Sequence, residues 1–504
     1  MKTYSERIAK GAFAALVLGL LGTVLGYVLR IYLARNLSLS EFGLFYSVLA
    51  LLSFAGVIKD FGLSSAVAKA IPEFQVKKKF SSILAAVKFS VYIQAVIGIV
   101  LTTGILLLSD WISAAFFHEA SAKIVLQILA IEFLIGFSVL KVVLQGFQKI
   151  KYYASIEPIR IALVFAFLAV FIRLGAQGVA WSYLIAAIII NLALAAYTVK
   201  ICSSRSGDKP PLASNKKFLL FGLTVLTGTV ASMLISTTDT LMITFFLSLK
   251  DVALYQVSMS TSQLLLVFSS AICVVTLPIA SELWSSGKKD TLGTAVWMLT
   301  KSLFICIIPF AFIFVAFPEL LLGTLFGSSY ASAPILLQML SVGMIFCSLY
   351  SVMTTVMIGV GRPGSATKIM IFIAALNFVL NLAMINIFGI AGAAASAIIS
   401  YVTATAVSLV TLRKHIAVGF SILDIAKIFA CGVLSVEVIF VVKNALVTDP
   451  VIEAVIGLVV GVGVYSCLVL LSKAVKRSDI KMLDETNIMV PKSFIRFLYR
   501  VVRR

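Results

Sequence analysis

Apolar residues run in stretches of about 20 or more along the whole 504-residue chain, broken by short polar segments, and no tract between them could hold a sizeable water-soluble domain. A helix crossing a bilayer needs about 20 such residues. The runs predict fourteen helices, near 9–34, 42–70, 83–108, 122–147, 157–174, 178–200, 218–247, 252–281, 293–317, 333–360, 367–388, 390–412, 425–446 and 451–472. Hydrophobic residues make up 61% of the chain and charged ones 12%, against about 25% charged in a soluble protein. The expected fold class is an all-α polytopic membrane protein.

Charge sharpens this picture. All but 8 of the 41 Lys and Arg lie in segments 1–10, 69–88, 148–160, 200–217, 283–301, 362–368, 413–427 and 473–504, which alternate along the chain. Positive charge accumulates in loops on the cytoplasmic side, so these segments and both termini are expected in the cytoplasm of a cell-membrane protein. The net charge of +20 then marks orientation and contact with anionic lipid rather than a nucleic-acid partner. Trp111, Trp181, Trp284 and Trp297 fall at helix ends, as interfacial rings do. The first apolar run lacks a small-residue cleavage site after a short core and is expected to be a retained helix.

Chemistry is sparse. The six Cys are scattered without a CxxC pair, and His118 and His415 stand far apart; both patterns point to filler residues and no metal site. HExxH, GxSxG and P-loop motifs are absent, the loops are short, and no outer-loop carboxylate cluster suggests a glycosyltransferase, so no enzyme is expected.

Internal repetition sets the domain reading. At an offset of 210, the stretch Leu37 to Phe45 (LSLSEFGLF) returns as Leu247 to Tyr255 (LSLKDVALY). At an offset of 214, Gly175-x-x-Gly178-x-Ala180-x-Ser182 returns as Gly389-x-x-Gly392-x-Ala394-x-Ser396, and Gly146-x-x-Lys149 is echoed by Gly359-x-x-Arg362. Two pseudo-symmetric six-helix lobes, 1–200 and 218–414, follow, joined by a Pro/Ser-rich cytoplasmic linker at 201–217. Helices thirteen and fourteen (425–472) and a basic tail (473–504) lie outside the repeat. Six is even, so the lobes should be related by an axis along the membrane normal, with a central cleft for a substrate.

A charge inside a span costs about 2.5–3.5 kcal/mol and marks a functional position unless it is paired. Asp239 accompanies Thr229, Ser232, Ser236 and Thr240 on helix seven, and helix eight carries Gln256, Ser260, Gln263 and Ser270 at helical spacing. Both stripes are candidate cavity walls; alternatively, the hydroxyls satisfy one another across a tight helix pair. The repeat sets Arg30 against Thr240, one residue from the position matching Asp239. Lys59 and Asp60 on helix two, with Glu132 and Lys141 on helix four, complete the set. The cations could hold a phosphate or diphosphate. The alternative is intramembrane pairing of Lys59 or Lys141 with Asp60 or Glu132. Glu157 and Arg160 have the spacing of an ion pair.

The segment ARNLSLSEFGLFYSVLALLSF followed by KDFGLSSAVAKAIPE resembles the start of the polysaccharide-export flippases of the MOP superfamily, the Wzx-type O-antigen and teichoic-acid flippases. Arg35, Glu41 and Gly43 fall on that family's turn after helix one, Asp60 on its helix-two phrase, and Asp239 on a position where it often has Asp. The resemblance covers the whole chain and implies a MATE/MOP-like fold. It also implies translocation of a polyprenyl-diphosphate-linked oligosaccharide from the cytoplasmic to the outer leaflet by alternating access, for surface polysaccharide or glycoprotein glycan synthesis. The implied partners are that lipid, membrane lipids and glycan-assembly membrane proteins. No cofactor is implied; proton or sodium coupling at Asp239 or Glu132 stays open. A MATE-type multidrug extruder, a lipid II flippase and a non-transporting assembly scaffold are the alternatives; Arg30, Lys59 and Lys141 at least balance the acids, which favours an anionic cargo over the organic cations of an extruder.

Overall fold

A computed structural model of the protein describes residues 2–77, 79–203, 214–419, 421–445, 450–472 and 474. Much of the expected linker and nearly all of the basic tail lie outside the described residues. Among the described residues the secondary structure is helical, with no strand. The helices are α1 (Lys2–Asn36), α2 (Leu39–Asp60), α3 (Leu63–Val76), α4 (Phe80–Leu107), α5 (Ser109–Ala115), α6 (Ala122–Ile135), α7 (Ser138–Gly146), α8 (Ile150–Phe171), α9 (Ala176–Ser203) and α10 (Ser214–Phe246). They continue as α11 (Leu249–Ser262), α12 (Leu266–Ser285), α13 (Lys289–Ala316), α14 (Pro318–Phe326), α15 (Pro334–Gly359), α16 (Pro363–Phe388), α17 (Ile390–Arg413), α18 (Ile422–Ala445) and α19 (Pro450–Leu471).

Twelve segments among the described residues are long and apolar enough to cross a membrane. With α18 and α19, every one of the fourteen apolar runs is occupied by helix. Large apolar side chains such as Val24, Val170, Leu192, Val379 and Val441 stand exposed on these spans, as expected where lipid rather than water is the solvent. The chain forms two compact units. One comprises Met1–Val257 with Phe378–Ala393, the other Ser258–Asn377 with Ala394–Arg504.

The sequence repeats have physical causes. Ser38 and Glu41 form a reciprocal capping box at the start of α2, with Ser38 N–H and Oγ–H donating to Glu41 Oε2 at 3.0 and 2.7 Å and Glu41 N–H returning to Ser38 Oγ at 3.3 Å. Ser248 and Asp251 repeat it at α11, at 3.1, 2.6 and 3.3 Å. A β-carbon on Gly43 would lie 1.8 Å from Leu249 O and 3.3 Å from Ala253 N, so the two repeated turns meet backbone to backbone within the first unit. Gly175 and Gly389 share φ values of 61° and 60°, the left-handed region that only glycine enters without strain. Three residues on, β-carbons at Gly178 and Gly392 would strike Phe171 O at 1.8 Å and Met384 O at 2.0 Å.

Three expected continuous helices are interrupted. Helix two divides at Phe61 (φ 50°) and Gly62 (φ 72°), helix four at the extended residues Gly136 and Phe137, and helix eight at a 3₁₀ turn over Gln263–Leu265. A break in a span exposes backbone groups that hydrocarbon cannot satisfy, and the partners found for them at helix four build the candidate site.

Candidate functional site

At the helix-four break the carbonyls of Phe133, Leu134 and Gly136 have lost their helical donors. Lys59, from the last turn of α2, supplies them. Its Nζ donates to Phe133 O, to Leu134 O at 3.0 Å and to Gly136 O at 2.9 Å. The ammonium lies 4.8 and 5.1 Å from the ring centres of Phe133 and Phe137, a favourable cation–π placement, and the residue is only 4% exposed. Phe137 N–H is met by Asn191 Oδ1 at 3.2 Å. An ammonium has three N–H donors, and here each has a carbonyl.

Neighbouring Asp60 takes all its bonds on one oxygen. Ser64 Oγ, Gln94 Nε2 (2.8 Å) and Ser138 Oγ (2.6 Å) donate to Oδ1. Gln94 Nε2 also reaches Ser138 Oγ at 2.9 Å, so the four residues tie α2, α3, α4 and α7 together. Beside this network is a cavity of about 230 Å³, lined by Leu49, Leu52, Ser53, Gly56, Lys59, Asp60, Glu132, Phe133, Gly136 and Ser138. Glu132 makes no side-chain hydrogen bond or ion pair among the described residues, though the charges of Arg160 and Lys59 act on it. Neither expected pairing, Lys59 or Lys141 with Asp60 or Glu132, is formed among the described residues: Lys59 chooses backbone carbonyls.

Three further first-unit cations singled out by the sequence, Arg30, Lys141 and Arg160, sit on aromatic rings and do not line this cavity. Arg30 stacks 4.6 Å over Tyr46, Lys141 lies 5.3 Å from Tyr153, and Arg160 lies 5.4 Å from Tyr183. Phe45 bridges Tyr46 and Tyr183 at centroid distances of 5.4 and 5.0 Å. Arg160 forms the expected ion pair with Glu157, at 2.5 Å, whereas Arg30 has no carboxylate partner among the described residues.

Asp239 belongs to a second polar set. It is 4% exposed, with Tyr255 Oη donating to Oδ2 at 2.5 Å and Asn381 Nδ2 to Oδ1 at 2.7 Å. Next to it Gln256 Nε2 donates to Thr240 Oγ1 at 2.6 Å. Ser236 and Gln263 are exposed, the former bonded to its own helix through Met233 O at 3.0 Å. Arg35 is exposed at the end of α1. No group of His, Cys, Asp and Glu suited to a metal occurs among the described residues.

A polysaccharide biosynthesis protein family model matches residues 8–284 of the chain, more than half of it. The chain belongs to the polysaccharide biosynthesis family. A MatE model matches residues 225–383 of this family member. It is 26% identical to the uncharacterized membrane protein MJ1068 of Methanocaldococcus jannaschii, over 92% of this chain and 95% of that one. It is 24% identical to the "probable low-salt glycan biosynthesis flippase Agl15" of Haloferax volcanii, over 94% and 98%. Among solved structures, the lipid II flippase MurJ in an inward closed conformation superposes with a TM-score of 0.73 at 15% identity, covering 91% of this chain and 97% of that one. An inward-facing MATE family transporter of the MOP superfamily follows at 0.65 and 15%, covering 80% and 97%. The fold of this polysaccharide biosynthesis family protein is therefore the one seen in MurJ and in the MATE family transporter of the MOP superfamily, as the turn motif at Arg35 to Gly43 implied.

The sequence singles out Lys59, Asp60 and Glu132, which the structure brings to one cavity, but not Gln94, Ser138, Tyr46 or Tyr183, and it offers Lys59 a phosphate or an acid rather than the backbone carbonyls that hold it. Gln94 was open to detection as a lone amide in the apolar run SVYIQAVIG. Lys59's partners were not, because backbone carbonyls carry no residue signature.

Proposed function

We propose that the protein is a flippase that carries a polyprenyl-diphosphate-linked oligosaccharide from the cytoplasmic to the outer leaflet of the plasma membrane by alternating access of its two lobes, with both termini cytoplasmic and glycan-assembly proteins as its partners. The observation that carries this reading is Arg30: a guanidinium half-buried in a membrane span, 4.6 Å over the centre of the Tyr46 ring and free of carboxylates among the described residues. An arginine kept in the membrane without an acid is suited to a diphosphate, which its planar fork meets with paired hydrogen bonds. The whole-length similarity to a glycan biosynthesis flippase supports the same cargo. Enclosing the sugars in protein removes the cost of taking their hydroxyls through hydrocarbon. Asp239, buried and hydrogen-bonded by Tyr255 and Asn381, is the carboxylate we assign to coupling by a proton or sodium ion.

Complementation tests this reading. The native gene restores surface glycan in a flippase-null strain of the source organism, and Arg30→Ala, at equal protein level in the membrane, does not. Full complementation by Arg30→Ala contradicts the assignment. Resistance to cationic drugs without glycan rescue supports the MATE-type extruder, the reading to which the MatE match over residues 225–383 belongs.

A further inference from the structure

The cavity at the two helix breaks is the wrong place for the diphosphate. Of its three charged lining residues, Lys59 directs its donors at Phe133, Leu134 and Gly136 carbonyls, and the other two, Asp60 and Glu132, are acids. A diphosphate entering here would meet two like charges and no cationic donor left free, an arrangement that rejects it. As carboxylates the acids offer only acceptors: among the described residues Glu132 has no hydrogen-bond donor, and Asp60 Oδ2 has none while Ser64, Gln94 and Ser138 hold Oδ1. What completes them is a ligand rich in hydroxyl or amide N–H donors.

We propose that this cavity seats one sugar ring of the cargo, whose hydroxyls donate to Asp60 Oδ2 and Glu132. The proposal rests on the reading of the cargo as a lipid-linked oligosaccharide and adds where one of its sugars lies. The wall fits such a ring on both of its chemistries. Leu49, Leu52 and Phe133 offer apolar surface to its C–H face, while Ser53 and Ser138 add hydroxyls beside the acids. The volume, about 230 Å³, falls below the roughly 300–1,000 Å³ of sites for larger ligands, which suits a single ring and not an oligosaccharide. The Asp60 network fixes one acid in place from three helices, so the site is set before the ligand arrives. Lys59 is then a positioning residue: it holds the break that opens the cavity and keeps the acids from being quenched by a free ammonium.

Binding to the full-length protein in lipid nanodiscs separates the possibilities, with two probes: lipid-linked oligosaccharide extracted from the source organism, and polyprenyl diphosphate bearing no sugar. Loss of one charged hydrogen-bond partner predicts that Glu132→Gln weakens the glycosylated lipid about tenfold and leaves the bare diphosphate lipid within about twofold. Arg30→Ala weakens both. Ser53→Ala, a milder change in the same wall, weakens only the glycosylated lipid and serves if Glu132→Gln fails to fold. The proposal is overturned if Glu132→Gln and Ser53→Ala weaken both probes equally or neither, or if exchanging sodium for potassium reproduces the Glu132→Gln effect in the native protein, which would make the acids an ion site. If the native protein binds neither probe, the flippase reading itself falls, and this one with it.

Discussion

Two buried lysines, one in each unit, are stabilised in opposite ways. In the second unit Lys301 of α13 faces Asp424 of α18 at 3.4 Å, both about 3% exposed. In the first, Lys59 has two acids within one cavity and bonds to neither, using the carbonyls of a broken helix instead. The Lys301 arrangement neutralises charge and joins α13 to α18 within the second unit. That of Lys59 leaves Asp60 and Glu132 with acceptor capacity open to a ligand. Buried charge alone therefore does not mark a binding site; the bonds its neighbours still lack do.

Removing each lysine breaks the comparison most severely. Lys59→Met orphans three carbonyls in the membrane and is expected to destabilise the protein by about 5 kcal/mol, at roughly 1–3 kcal/mol for each unsatisfied group. No side-chain substitution elsewhere should restore it, because its partners are backbone; thermal unfolding in detergent, or loss of the folded fraction on size exclusion, reads this out. Lys301→Met should cost about 3 kcal/mol by removing the ammonium that faces buried Asp424, and the double variant Lys301→Met/Asp424→Leu should recover most of it, since apolar replacement of a buried pair is often close to neutral. A failure of the double variant to recover would show that the pair has partners whose loss matters more. Ser38→Ala and Ser248→Ala each remove half of a capping box and should cost about 1 kcal/mol apiece. Unequal losses would show that the repeated turns differ in role. Glu132→Gln should change stability by less than about 0.5 kcal/mol, as expected for an isosteric change at a group with no hydrogen bond or ion pair among the described residues, while lowering sugar-lipid transport.

Most of the fold was legible because bilayer spans announce themselves by length and hydropathy, and because the repeats LSLSEF and LSLKDV encode capping boxes whose chemistry is local. Gly175 and Gly389 were legible for the same reason, each being required by its own backbone angle. The helix breaks were not. Phe61 takes a left-handed conformation that its residue type does not advertise, and Gly136 reads as one small residue in an apolar run. The site was legible in its charges and opaque in their bonding. Lys301 counts with Lys288 and Lys289 in the basic cytoplasmic segment 283–301, whereas it lies buried against Asp424, more than one hundred residues away. Such pairings depend on tertiary contact, which spacing along the chain does not carry.

Transport in proteoliposomes tests the central claim most directly. Purified protein is reconstituted with lipid-linked oligosaccharide extracted from the source organism, and the sugar exposed to an impermeant glycan-oxidising reagent is followed over time. The account predicts that the native protein moves the lipid between leaflets far faster than protein-free vesicles, and that Arg30→Ala slows it at least tenfold with folding intact. Movement no faster than in protein-free vesicles, from native protein shown to be folded, contradicts it.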